Sequence, residues 1–258
     1  MEDSEIITEE KAYILGVLCG DGFLTTNYRF GLEVCDLDFA EEFARCLNEV
    51  YNLNPKIKEK IRNKTNFGKA KKQYSVVISS KNVWLDLIKY SDFKTKSWII
   101  PKIIKNTDIN ILSNFIKGIF DSEGTIRFRR NGYCYLQVCS GNDNSLLDLK
   151  NILENKFGIN MKIKYNNNGV IILYTAKYKY IKLFADCIGF KIKRKQTILE
   201  IGLNSYKRVS LRSYDQDFKE MALKLLENDY GVREIGRIMD FPYTNIYDFK
   251  KQKEKKLE

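Results

Sequence analysis

Histidine is absent from the 258 residues. Its absence removes histidine-based catalytic triads, histidine-dependent nucleases and His-rich zinc sites. Acid–base chemistry is left to carboxylates, Lys, Tyr or metal-bound water. The six cysteines, Cys19, Cys35, Cys46, Cys134, Cys139 and Cys187, form no C-x-x-C pair. Structural zinc is therefore not expected, and they read as buried free thiols of a reducing compartment. No apolar run approaches the ~20 residues a bilayer span needs, and residues 1–10 are acidic and polar, unlike a signal peptide. The expected location is cytoplasmic, associated with the nucleoid, with no membrane partner. Positive charge is scarce at the start: residues 1–50 hold 3 Lys or Arg against 12 Asp or Glu, whereas the rest holds 41 against 21. The whole chain carries +11, a balance that argues for a polyanionic partner and not for any fold. Hydrophobic residues at 44% exclude disorder throughout.

What is present is a motif that occurs twice. Tyr13-Ile14-Leu15-Gly16-Val17-Leu18-Cys19-Gly20-Asp21-Gly22 and Phe115-Ile116-Lys117-Gly118-Ile119-Phe120-Asp121-Ser122-Glu123-Gly124 are each an apolar helical run. Each has an internal glycine, a small residue four positions later, then an acid and a glycine. The acids Asp21 and Glu123 lie 102 positions apart, enough for each copy to head its own subdomain. Two similar helix ends, each delivering a carboxylate, point to a pseudo-symmetric site for divalent metal.

The same order of elements follows each copy. In the first half a helix over Thr8–Gly20 leads to strands at Phe23–Leu24 and Tyr28–Cys35. A helix over Asp38–Val50, with Asp38 as N-cap, leads to strands at Lys56–Arg62 and Gln73–Ser79 and a helix over Val83–Tyr90. In the second half a helix over Asn110–Ser122 precedes strands at Thr125–Arg129 and Tyr133–Ser140. A helix over Asn144–Phe157, strands at Lys162–Tyr165 and Val170–Tyr174, and a helix over Tyr178–Ile188 complete it. The fold class is α+β, an internal αββαββα duplication, with repeats at 1–106 and 107–212. Residues 213–258 differ. Helices over Phe218–Glu227, Val232–Met239 and Tyr243–Lys250, broken at Asp240-Phe241-Pro242, match a small all-α helix-turn-helix domain with a frayed basic tail.

With that doubled motif and doubled order, residues 8–205 resemble a monomeric two-repeat LAGLIDADG homing endonuclease. Ile14–Gly22 and Ile116–Gly124 fill the nine motif positions, keeping the third-position glycines Gly16 and Gly118, the eighth-position acids and the ninth-position glycines. The resemblance implies two motif helices packed side by side, Asp21 and Glu123 as catalytic and metal-binding acids, and Gly20 and Ser122 beside them in the metal site. It implies Mg²⁺, or another divalent cation such as Mn²⁺, and hydrolysis of double-stranded DNA at a long site. At the sixth motif position Cys19 stands where that family has an acid, while Asp121 keeps it. Lys193, Arg194 and Lys195 resemble a basic segment near the family's repeat end, and Lys96 holds the corresponding place in the first repeat; these are candidates for phosphate contact, and a lysine assisting catalysis is not assigned.

Strand alternation makes an independent case for nucleic acid. Lys56, Lys58, Lys60 and Arg62 fall on one face of their strand, as do Lys162 and Lys164, and Arg127 and Arg129. Arg can read guanine and Asn adenine in the major groove, which makes Asn27, Arg29, Arg127, Arg129, Arg130 and Asn131 candidate readers. Lys69, Lys71 and Lys72 suit phosphates. The alternative is a non-cleaving binder on the same scaffold: an intron RNA maturase, or a transcription regulator joining such a domain to a helix-turn-helix. Regulators of that kind lack the metal-binding acids, so the presence of both favours the enzyme. A self-splicing intein is not expected, because the terminal His-Asn and nucleophile arrangement is missing.

Overall fold

A computed structural model of the chain describes residues 7–62, 71–128, 134–166, 169–204, 216–228, 230–238 and 242–254. The first half runs α1 (Glu9–Leu18), β1 (Gly22–Leu24), β2 (Arg29–Val34), α2 (Leu37–Tyr51), β3 (Ile57–Arg62), β4 (Lys71–Ser79), α3 (Lys81–Leu87) and α4 (Lys102–Lys105). The second runs α5 (Ile109–Glu123), β5 (Gly124–Phe128), β6 (Cys134–Ser140), α6 (Asp143–Phe157), β7 (Lys162–Tyr165), β8 (Ile171–Thr175), α7 (Tyr178–Cys187) and α8 (Lys193–Asn204). The chain then carries α9 (Gln216–Glu227), α10 (Val232–Ile238) and α11 (Tyr243–Glu254).

The strands form two four-stranded antiparallel sheets with matching orders, β1-β2-β4-β3 and β5-β6-β8-β7. Their alternation is that of sheets with one covered face. In β2, Phe30, Leu32 and Val34 point into the core while Arg29 and Glu33 are exposed. In the second sheet Leu136, Val138, Ile171 and Leu173 are buried. The opposite face carries Gln137 and a stacked Tyr135–Tyr174 pair, whose ring centroids are 5.4 Å apart.

One continuous core joins the halves, and its seam is α1 against α5. The motif glycines make the seam possible. A Cβ on Gly16 would lie 2.0 Å from the Phe115 carbonyl oxygen, and one on Gly118 would lie 2.5 Å from that of Tyr13. Backbone therefore meets backbone where any side chain would hold the helices apart. Thr8 caps α1 by accepting from the Lys11 N–H at 3.2 Å, and Asp108 caps α5 through the Asn110 N–H at 2.7 Å.

Residues 1–206 form one compact unit and residues 207–258 a second. The second unit packs Ala222, Ile235, Ile246 and Phe249 as its own small core. No helix among the described residues is long and apolar enough to cross a membrane.

The structure departs from the sequence reading at several points. The N-cap of α2 is Asp36 rather than Asp38, and its carboxylate makes no capping bond because it faces Arg194. The segment between the repeats contains α4, and the basic segment 193–195 opens the helix α8. The basic tail continues α11 to Glu254. The cysteines are all free, but Cys35, just past β2, and Cys187, the last residue of α7, are exposed. Arg129, Arg130, Asn131 and Lys69 lie outside the described residues.

Candidate active site and nucleic-acid interface

The close seam fixes where the two acids fall. Asp21 follows the end of α1 and Glu123 is the last residue of α5. A Cβ on Gly20 would stand 2.4 Å from the Ser122 Cβ and 3.1 Å from the Glu123 Cγ. The two motif ends therefore touch, with Gly20 packed against Ser122 and Glu123. Ser122 turns its hydroxyl to the Gly118 carbonyl at 3.0 Å.

Both carboxylates reach solvent, yet the surrounding protein strips enough water to disfavour their charged forms. Desolvation, then repulsion by Asp21, pushes Glu123 up to about 7, against the pull of Lys195. Asp21 is raised first by desolvation and then by Asp36, again opposed by Lys195. Two acids at two helix C-termini also meet the negative ends of both macrodipoles. The arrangement favours a cation.

Lys195 differs most from the sequence reading. Expected at the DNA surface, it is only 7% exposed. Its ammonium donates to the Phe120 and Asp121 carbonyls at 3.1 and 2.5 Å. It thus covers the last carbonyls of α5, as basic side chains do at helix ends. Burial holds its pKa below the usual lysine range, while Asp121 and Asp21 support the charge. Sequence reasoning missed this because the segment was not recognised as the first turn of a helix, whose spacing aims residue 195 inward while Lys193 stays exposed.

Asp121, 1% exposed, organises the same corner. It accepts from the Tyr13 hydroxyl at 2.9 Å and from the Lys191 N–H at 3.1 Å, tying both motif helices to the segment before α8. Burial nevertheless pushes it up to about 6. The equivalent Cys19 is buried, and burial raises its thiol well above the usual range.

A cavity of about 390 Å³ opens beside Asp21, lined also by Asp36, Gln73, Ser122, Arg194 and Lys195. Arg194 grips Asp36 in two parallel bonds of 3.1 and 2.9 Å. Among the described residues no group of three or more His, Cys, Asp or Glu is placed to hold a metal ion. Two carboxylates with open sides suit Mg²⁺, which commonly binds one or two carboxylates and keeps water or phosphate for its other positions.

The remaining sequence candidates are spread over the sheets. Asn27, Arg29, Lys56, Lys58, Lys60, Arg127, Lys162 and Lys164 are exposed. Register places Lys58 and Glu33 across Ser75 on one face, and Lys162 beside Tyr174 on the other sheet. Lys60 meets Glu33 at 3.3 Å and Lys72 meets Glu59 at 2.9 Å, exposed pairs weak enough for an incoming phosphate to displace. Arg62 and Lys71 are in strands, with their side chains outside the description.

Fold and site together define a two-repeat α+β protein carrying LAGLIDADG-like domains. Residues 10–82 match the WhiA LAGLIDADG-like domain, and residues 110–189 match the LAGLIDADG-like domain. An uncharacterized protein of Methanocaldococcus jannaschii is 34% identical over 167 residues, covering 62% of this chain and 59% of that protein. The glutamine–fructose-6-phosphate aminotransferase of the same organism is 27% identical over 261 residues, covering 93% of this chain but 23% of that protein. The chain thus spans less than two thirds of either relative. Among solved structures, full-length DUF199/WhiA from Thermatoga maritima matches with TM-score 0.54 at 14% identity, over 97% of this chain and 92% of that one. The homing endonuclease I-WcaI, bound to its DNA recognition sequence, matches with TM-score 0.53 at 18% identity, over 74% and 88%.

Proposed function

We propose that this chain is a site-specific, divalent-metal-dependent endonuclease of double-stranded DNA. The observation that carries the reading is the meeting of Asp21 and Glu123 at abutting helix ends, where Glu123 is pushed up to about 7. A structural scaffold has no use for two crowded, solvent-open carboxylates; a site for a cation does. Asp21 and Glu123 would hold the metal, Mg²⁺ or Mn²⁺, beside Gly20 and Ser122. When bound, the metal supplies charge stabilisation and an activated water. In the hydrolysis water adds to phosphorus, the P–O3′ bond breaks and the proton passes to the 3′-oxygen. Lys195 would supply a fixed positive charge beside Asp21, worth more in a buried setting than in water.

The two sheets supply the DNA surface in this reading. Arg29, Arg127 and Asn27 would face bases, and the strand lysines phosphates. Both repeats lie in one chain, so the active form is a monomer. The aminotransferase match supports a portable segment: nearly all of this chain aligns with a minor part of an enzyme of unrelated chemistry. A second reading, a non-cleaving regulator, is favoured by the WhiA likeness over 97% of this chain, terminal helices included. Intron RNA is the alternative ligand of a maturase.

The test is a cleavage selection from a randomised duplex library, with Mg²⁺ and with chelator, for wild type and Asp21→Asn. Metal-dependent cuts at one long, partly asymmetric sequence, lost in Asp21→Asn, are expected. Binding without cuts under any metal would move the assignment to the regulator or maturase.

A further inference from the structure

The open face of the first sheet carries a single acid among its strand positions. In β2, Phe30, Leu32 and Val34 turn to the core, and Arg29 and Glu33 turn out. Register sets Glu33 beside Ser75, and Ser75 beside Lys58; Gln73 and Lys60 form the next row on the same face. The Glu33 Oε1 accepts from the Ser75 hydroxyl at 3.2 Å and from the Lys60 ammonium at 3.3 Å. Among the described residues, Oε2 accepts no bond. Ser75 is 3% exposed, so its hydroxyl is a fixed support, whereas Lys60 is an exposed partner that a phosphate can draw away. Glu33 itself is exposed and lines the cavity that holds Asp21.

A carboxylate on a face that meets DNA is repelled by phosphates and by every acceptor on a base edge. Only two groups in the major groove give it a proton to accept, the N4 amine of cytosine and the N6 amine of adenine. Adenine sets its N7 acceptor beside the amine, and a carboxylate has no proton to offer there. Guanine and thymine present acceptors in that place, O6 and N7 or O4. Discrimination built on such repulsion is strong, because the wrong base leaves a charge facing an acceptor.

The second sheet holds a different set at the same register. Gly22 pairs with Leu32 and Gly124 with Val138, so Cys139 is the equivalent of Glu33. Ile172 stands opposite Cys139 where Ser75 stands opposite Glu33, and Lys164 then matches Lys58. Cys139 and Ile172 are half-buried and offer apolar contact, with no carboxylate. We infer that Glu33 is a specificity-determining residue: it selects cytosine, through the N4 amine, in one half of the target, and the mirror-related position of the other half lacks that selection. This rests on the duplex-DNA surface proposed above and not on cleavage.

The experiment is a binding selection from a randomised duplex library in chelator, with the full chain as wild type, Glu33→Gln and Glu33→Ala. Chelator keeps the DNA whole, so a chain that binds without cutting gives the same answer. Wild type should prefer cytosine over thymine by about tenfold at one position of one half-site. Glu33→Gln should lose that preference and favour adenine, whose N6 and N7 match the glutamine amide. Glu33→Ala should leave no preference there, and both variants should keep the base choices elsewhere. A merely structural role would weaken every sequence alike. A cytosine preference that survives both substitutions, or one that stands equally at the two mirror-related positions, overturns the inference alone. No enriched sequence for wild type overturns the duplex-DNA reading and this inference with it.

Discussion

Gly16→Ala tests whether the backbone seam of α1 and α5 is what brings the acids together. The added methyl would meet the Phe115 carbonyl oxygen at 2.0 Å, the Phe115 carbonyl carbon at 3.0 Å and the Gly118 Cα at 3.2 Å. All three are backbone atoms, so no rotamer change relieves them. The helices would have to part by about 1 Å along a seam packed at interior density. Overpacking typically costs about 1–3 kcal/mol, and a backbone clash belongs at the upper end. Alanine's better helix propensity returns about 1 kcal/mol. The net expectation is a loss of about 2 kcal/mol, read as a lower urea midpoint at unchanged slope. Gly141→Ala is the internal control, because a Cβ there meets nothing within 4 Å. Equal midpoints for the two variants would refute the reasoning. A shifted Glu123 titration in Gly16→Ala, followed by NMR, would tie the seam to the site.

Three further outcomes are expected. Glu123 holds its proton more tightly folded than unfolded, so its contribution to stability falls as pH rises from the ordinary glutamate range through about 7. Glu123→Gln should therefore match wild type in mild acid and exceed it above neutrality, by about 1 kcal/mol after solvent screening; a gap that widens toward acid would contradict this. Asp121→Asn should loosen the segment before α8, since it weakens acceptance from Tyr13, Lys191 and Ile192; faster amide exchange at Lys191 and Ile192 is the readout, and unchanged protection would count against it. Lys11 is buried with its ammonium 2.9 Å from Asp86, which also accepts from Tyr51 at 2.8 Å. Lys11→Met should cost about 1–3 kcal/mol near neutral pH. Because the bonds and charge from Lys11 and Tyr51 hold Asp86 below the usual range, wild type loses this stability as pH falls through the folded value, and the variant should show less of that decline.

The duplication was readable because apolar periodicity and paired glycines repeat, and both report backbone packing. Every sheet strand is close to its expected place for the same reason. What escaped the sequence was polar and cross-chain. Asp36 has no role in the sequence reading until Arg194, 158 positions away, takes its carboxylate. Lys195 looks like one more basic side chain, because nothing local says that the turn aims it at the carbonyls of Phe120 and Asp121. The anchoring of Trp98 by Asn142 and Ser145 is equally invisible to periodicity.

Those cross-chain contacts explain how one duplicated scaffold could diverge. Each half's terminal segment is held by main-chain groups: the Lys193 N–H on Asp38 in one direction, the Trp98 carbonyl on Asn142 in the other. Main-chain anchors tolerate side-chain change, so equivalent positions of the two segments can hold lysine in one half, Lys195, and tryptophan in the other, Trp98, without moving the helices. The sixth motif position shows the same freedom. Asp121 gathers three donors there, whereas Cys19 fills the equivalent space as a buried apolar group. The glycines have no such freedom, since both sides of the seam meet at backbone. Substitution should therefore be tolerated asymmetrically in the polar positions around Asp21 and Glu123, and symmetrically rejected at Gly16 and Gly118.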